Sequence, residues 1–384
     1  MKVKEQLNQY AKAGYMSLVK MKSKRARRKA LRSEVAYLLS FPGNDRGLIQ
    51  RLAQEKELGD LVIYYTEACA DEVITYKQSG VTCYCLDDTA SFFRESISRI
   101  SKSRYIICDN YFAFMGALEV SDETTVFQIW HANGAIKTFG WQDIATASRS
   151  KADRKRFQAV YDACDYYVVG SDKMGDVFKE SYHIDESKVL KTGCPRTDFY
   201  FEEGRREKAV EKFQLTFPKL VGERIVLYVP TYRPYETAEI DSMLATVKLP
   251  KGTTGFGHLH PHMVEDPTSD AFNFDLKGLT LEEMLYNTDV LITDYSSVPF
   301  EYGLIKSDGQ VLFYCPDLEK YNQQVGLQAG FLKEANIGIV QNVDCLEEKL
   351  KKQEGLMVTK YADSWQDYND GQSSERLIQF MKTK

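Results

Sequence analysis

The sequence predicts an α/β protein of two Rossmann-like domains facing a central cleft, preceded by an amphipathic basic helix. Three observations carry that expectation. The chain has 384 residues, more than one hydrophobic core usually organises, so two domains are expected. Short apolar runs alternate with helical stretches, which signals parallel sheets covered by helices on both faces. Charge is also uneven: residues 1–32 hold eleven Lys or Arg against Glu5 alone, a net of +10 in a chain of net −5, which leaves −15 for the rest.

The N-terminal segment comes first. Val3, Leu7, Tyr10, Ala11, Gly14, Tyr15, Leu18 and Val19 recur at helical spacing and predict one apolar stripe on a basic helix. A dense basic run, Lys22 to Arg32, follows. Such a helix suits an anionic membrane surface, since apolar groups enter the headgroup boundary and cations gain from acidic lipid. Docking on the protein's own body is the alternative. Nucleic acid is a third reading, unsupported by any accompanying signature, so no nucleic-acid partner is expected.

Strands are predicted at 61–65, 82–86, 105–108 and 125–130, then at 166–170, 189–192, 225–229, 290–293 and 311–314. The charged stretch 203–224 separates two series. The expected divisions are therefore a surface segment 1–32, a first domain 33–204 and a second domain 205–384 that includes a terminal helix. No apolar run reaches the length of a membrane span, and the start lacks the apolar core of a signal peptide. A cytoplasmic, peripheral protein is the expectation. Eight scattered cysteines without a C-x-x-C pair predict reduced thiols rather than zinc or redox chemistry.

Strand ends carry the candidate chemistry, because ligands of open α/β sheets bind beyond the carboxyl ends of strands. Asp294-Tyr295-Ser296-Ser297 follows an apolar strand and leads, through Pro299, into a helix ending the turn near Glu301. Its hydroxyls and free N–H groups suit a diphosphate, while plain N-capping by Ser296 or Ser297 is the structural alternative. Thr280 and Glu283 form a capping box. Three of the five histidines lie in His258-Leu259-His260-Pro261-His262; with no further ligand at recognisable spacing, contact with a phosphate is preferred over a metal.

His131, at another strand end beside a glycine turn and Lys137, is placed to act as a general base or simply to pack. Thr231 and Arg233 could hold a phosphate, and Arg196 does likewise from the first half; surface arginines on turns are the alternative. The Asp87-Asp88 pair is not expected to bind magnesium.

Taken in order, W-H-A-N-G-A-I-K at 130–137, T-G-C-P-R-T-D at 192–198, V-P-T-Y-R at 229–233, H-P at 260–261 and T-D-Y-S-S at 293–297 resemble the CDP-glycerol glycerophosphotransferases of teichoic acid synthesis. The polymerases of that family usually read W-H-G-T in the first motif; Ala132-Asn133 and the short chain resemble its primase branch instead. The resemblance implies a GT-B fold, CDP-glycerol as donor and N-acetylmannosaminyl-N-acetylglucosaminyl-diphospho-undecaprenol as acceptor. It implies catalytic roles for His131 and His260 and phosphate binding by Ser296 and Ser297.

Thr231, Arg233, Arg196 and Asp294 join the donor side, Asp294 as an orienting group, with Glu301 a candidate for the ribose. No metal or other cofactor is expected. A polymerase of glycerol or ribitol phosphate, a sugar-nucleotide glycosyltransferase and a non-catalytic membrane scaffold are the rival readings. Other teichoic acid enzymes are candidate partners.

Overall fold

The computed structural model describes residues 2–233, 235, 238–259 and 269–384. Two compact units emerge: residues 1–131, 140–199 and 368–384 form the first, and residues 132–139 with 200–367 the second.

In the first unit, β1 (Arg32–Leu39), β2 (Asp60–Tyr65), β3 (Thr82–Cys85), β4 (Ser103–Cys108), β5 (Thr125–Gln128), β6 (Tyr166–Val168) and β7 (Val189–Leu190) form one parallel sheet in the order β3-β2-β1-β4-β5-β6-β7. The central strand β1 falls in a stretch to which no strand was assigned from sequence. Its run Val35-Ala36-Tyr37-Leu38-Leu39 is buried throughout, because β2 and β4 flank it and helices cover both faces, so it lacks the alternation of a half-buried strand. The order reverses at β1 and β4, which creates a switch point beyond their carboxyl ends.

The second unit repeats this plan. Its strands β8 (Arg224–Val229), β9 (Thr253–Gly257), β10 (Phe272–Asn273), β11 (Val290–Thr293), β12 (Gln310–Tyr314) and β13 (Ile339–Val340) run parallel in the order β10-β9-β8-β11-β12-β13, and β14 (Leu356–Met357) pairs antiparallel with β12. Its switch point lies between β8 and β11. The nine strands expected from sequence are all present, shortened or extended by one or two residues at their ends.

Three placements differ from expectation. The terminal helix Ser373–Lys382, expected with the second domain, inserts Leu377, Ile378 and Met381 into the core of the first. Conversely, residues 132–139 fold with the second unit: Gln328 N donates to Ile136 O at 2.8 Å, Thr138 N to Gly326 O at 3.1 Å, and Lys137 bridges Leu327. The predicted apolar stripe of the first helix, α1 (Lys2–Ala26), is divided rather than continuous. Val19 and Ala26 are buried and Tyr15 stacks on Phe92 at 6.3 Å, whereas Leu7, Tyr10, Leu18 and Met21 are exposed. The residues at 15, 19 and 26 share one face, which docks on the first unit; those at 7, 10, 18 and 21 lie on an adjoining face that is left exposed.

Polar contacts fix that docking. Gln9 and Lys12 donate to Asp153 at 2.6 and 2.9 Å, Lys22 Nζ donates to Phe93 O at 2.6 Å, and the Ser23 hydroxyl, at the end of the buried face, accepts from Glu119 N. Among the described residues no helix is long and apolar enough to cross a membrane. All eight cysteines are free thiols, five of them buried.

Candidate functional site

In the first unit the chain leaves β5 through Ile129 and reaches Trp130, which adopts φ 59°. A bulky residue in the left-handed region is strained, and such strain persists only where the surroundings impose it. Two side-chain amides do so: Trp130 N donates to Gln128 Oε1 at 2.9 Å, and Asn44 Nδ2 donates to Trp130 O at 2.9 Å. The turn projects His131 between Phe41, stacked at 4.4 Å, and the Trp130 ring at 4.2 Å.

Asp109, which follows β4, sets the other side. Its fully buried carboxylate accepts Ser40 N and Phe41 N at 2.8 and 2.9 Å and the Ser40 hydroxyl at 3.0 Å, which fixes the end of β1 and the ring of Phe41. Burial raises its pKa to about 6 despite these hydrogen bonds. The Asp109 carbonyl lies 3.3 Å from His131 Nδ1. That contact assigns the ring proton to Nδ1 and leaves the Nε2 lone pair as acceptor. Burial pushes the His131 pKa down to about 4, the Asp109 carbonyl opposes the shift, and the Arg196 cation adds to it. His131 is therefore a neutral imidazole near pH 7, the form a general base requires. Arg196, Asn44, Asp45 and Trp130 are among the residues that line a small recess in this region.

The second unit builds its own switch point in the same way. Asp294, after β11, accepts Thr231 N with both oxygens at 2.9 and 3.0 Å and Tyr295 N at 2.6 Å. Thr231 follows β8. So each sheet ties its two central strand ends together with an aspartate, Asp109 in one and Asp294 in the other. Neither this likeness nor Asp109 was read from sequence, although Asp109 follows an apolar strand just as Asp294 does.

Arg233 is committed to protein. Its Nη1 donates to Asp294 at 2.7 Å and to Thr231 O at 2.9 Å, while Nε and Nη2 donate to Asp317 at 2.6 and 3.1 Å. At most one of its five N–H groups remains, so the bidentate phosphate clamp expected from sequence gives way to a positioning role. Asp317, 84 positions away and missed in the sequence, also accepts the Tyr295 and Tyr235 hydroxyls at 3.0 and 2.9 Å. Burial opposes its ionisation, yet the Arg233 hydrogen bonds hold its pKa below the usual range.

The serines stand at the start of the helix Val298–Ile305. Ser296 Oγ accepts Val298 N at 3.3 Å, whereas the N-cap Ser297 makes no capping bond with its side chain. Its hydroxyl is available where backbone N–H groups converge, an arrangement that favours an anion. Glu301 is buried and accepts a hydrogen bond from the Tyr200 hydroxyl, so a ribose would have to share it. His258 is half-buried, and burial lowers its pKa. His260, Pro261 and His262 lie outside the described residues.

Among the described residues no group of three potential metal ligands occurs. Asp87 accepts Glu67 N at 2.8 Å, and Asp88 caps a short helix through Ala90 N and Ser91 N. The Thr280–Glu283 capping box is present with both of its hydrogen bonds.

Known proteins resemble this chain in sequence and in fold. The model of the CDP-glycerol:poly(glycerophosphate) glycerophosphotransferase family matches residues 62–382. The teichoic acid glycerol-phosphate primase of Bacillus subtilis (strain 168) is 32% identical over 359 residues, covering 91% of this chain and 92% of that one. A protein of the same name from Staphylococcus aureus (strain NCTC 8325 / PS 47) is 30% identical over 289 residues, covering 75% and 76%. The solved structure of the wall teichoic acid polymerase TagF superposes with a TM-score of 0.68 over 98% of both chains at 15% identity, which shows a shared fold.

Proposed function

Since the chain belongs to the CDP-glycerol:poly(glycerophosphate) glycerophosphotransferase family, we propose that it performs the priming transfer of wall teichoic acid synthesis. In that reading it moves one glycerol phosphate from CDP-glycerol to a disaccharide on diphospho-undecaprenol. The match to glycerol-phosphate primases along nine-tenths of both chains carries the reading, and the buried, neutral His131 supports a catalytic rather than a scaffolding role.

The chemistry follows from the residues. A hydroxyl of the acceptor sugar attacks the phosphorus that bears glycerol, its proton passing to His131 Nε2. The new O–P bond forms as the bond to the bridging oxygen breaks, and CMP departs with the electron pair. Charge grows on the phosphoryl and leaving oxygens, where Ser297 and the N–H groups behind it are aimed to receive it. His260 joins the phosphate side on the strength of the resemblance alone. Asp294 and Arg233 hold the turn. These groups need no metal ion, so transfer should survive EDTA, and loss restored by magnesium would reverse that part of the reading.

The membrane surface is the proposed meeting place with the acceptor. Lys24, Arg25, Arg28 and Lys29 are exposed, and the outer face of α1 presents Leu7, Tyr10, Leu18 and Met21, a pattern that suits an anionic interface.

Donor choice is the direct test. Purified protein, acceptor and either CDP-glycerol or UDP-sugars are mixed, and nucleotide release is followed. CMP release that depends on acceptor is expected; UDP release instead would identify a glycosyltransferase.

A further inference from the structure

The segment that follows His131 directly holds two groups that the mechanism above does not use. Asn133 is 1% exposed, yet neither its Oδ1 nor its Nδ2 has a hydrogen-bond partner among the described residues. Lys137 is half-buried, and its ammonium forms no ion pair or hydrogen bond there. The charged groups that act on it are Asp294 and Arg233 of the donor turn, and burial lowers its pKa more than Asp294 restores it. A second buried group without a partner sits on the same turn: the Thr231 hydroxyl.

Such groups are costly. A buried amide or hydroxyl that finds no partner forfeits its hydration with nothing in return, and native proteins keep few of them. Here two occur in one unit, on Asn133 and Thr231, with the half-buried ammonium of Lys137 on the same segment as Asn133. The backbone holds the segment in place. Residues 136–138 are pinned to residues 326–328 by the contacts given above, and Gly134 lies so close to Phe300 that a β-carbon would approach that ring to 2.5 Å. Phe300 stands three residues after Ser297, so the pinned segment runs along the start of the serine helix. Asp294 and Asp317 cannot neutralise Lys137, since Arg233 already engages both.

We infer that Lys137 is the cation that receives the diphosphate of the nucleotide donor, with Asn133 and the Thr231 hydroxyl as neutral hydrogen-bond partners of the same group. The inference rests on the glycerophosphotransferase reading for the identity of the donor, and assigns its anion to residues of the first motif rather than to Arg233. A diphosphate would give Lys137 the counter-charge the protein withholds, and the amide N–H of Asn133 an acceptor. The cost of burial in the free protein is then recovered when the donor binds, which couples binding to stability.

That coupling gives a test on the full chain, with CDP as probe and CMP as its monophosphate control. Lys137→Met removes the charge while keeping most of the side chain's volume. Thermal unfolding of the ligand-free variant is expected a few degrees above wild type, whereas CDP should bind at least tenfold more weakly and shift its melting temperature little. CMP, with one phosphate fewer, should lose less. Asn133→Leu should show the same pattern with a smaller loss.

A Lys137→Met protein that melts lower and binds CDP as tightly as wild type would make the lysine structural and overturn the inference. Should that variant fail to fold, Lys137→Gln carries the same comparison. Wild-type turnover of CDP-glycerol with unchanged CDP binding by the variants sinks this assignment alone. A wild-type chain that binds no CDP sinks both it and the proposed function.

Discussion

The proposed transfer depends on His131 being neutral and held. Burial lowers its pKa to about 4 from an ordinary value of 6.5. Below pH 6.5 the unfolded chain binds a proton that the folded chain resists, so stability is lost as pH falls from 6.5 towards 4, by about 3 kcal/mol at most. Asp109, raised to about 6, gains stability over part of the same range, so the His131 share is read as a difference: between pH 7.5 and pH 5, wild type should lose more than His131→Gln in denaturant unfolding. The same variant should abolish transfer yet bind CDP-glycerol, and near wild-type turnover would remove the residue from the mechanism.

Asp294→Ala is a second residue-scale case. It strands part of the Arg233 charge and the Thr231 N–H, and the expected cost is about 3 kcal/mol, measured by urea unfolding. The sequence made Asp294 and His131 visible because each follows an apolar strand. It could not reveal that Arg233 is occupied, since its partners lie 61 and 84 positions away.

Elements were legible where pattern and turn chemistry agree. The Thr280–Glu283 box and the strand 290–293 stand where they were expected. The central strand β1 was not, because continuous burial erases the period of two. The motif around Gly193 illustrates how an apparent ligand loop can be structural. Gly193 has φ +84°, and a β-carbon there would come within 2.3 Å of Tyr368 O and Ser373 Oγ, at the start of the terminal helix. Asp198, in the same motif, accepts Ser373 N and Ser374 N at 2.9 and 2.7 Å. Gly193→Ala should therefore loosen the terminal segment and cost more than about 2 kcal/mol, checked by thermal unfolding and by proteolysis near the C-terminus. A neutral result would mean that this motif does not hold the helix.

For the whole molecule, two sheets of one plan each close their switch point with an aspartate, one beside the proposed base and one beside the serine turn. Sequence showed two α/β series but not this repeat, because the two aspartates sit in turns of unrelated sequence. Nor could it show that residues 132–139 join the second unit, since nothing in their composition differs from the residues before them. The charge asymmetry was visible, but not that several cations of residues 1–32 are engaged within the first unit, such as Lys12 with Asp153 and Arg27 with Glu119.

Membrane contact should then fall to the unengaged set. Replacing Lys24, Arg25, Arg28 and Lys29 by Gln should reduce binding to anionic vesicles by two or more orders of magnitude, at about 1 kcal/mol per cation. Sedimentation with acidic and neutral vesicles measures this, and unchanged binding would move the interface elsewhere.

The proposed reaction is a single transfer of glycerol phosphate. Mass spectrometry of a synthetic lipid-linked disaccharide after exhaustive reaction with CDP-glycerol tests it most directly. One product is expected, heavier by one glycerol phosphate, with one CMP released per acceptor. A ladder of products, or an acceptor left unchanged, would contradict it.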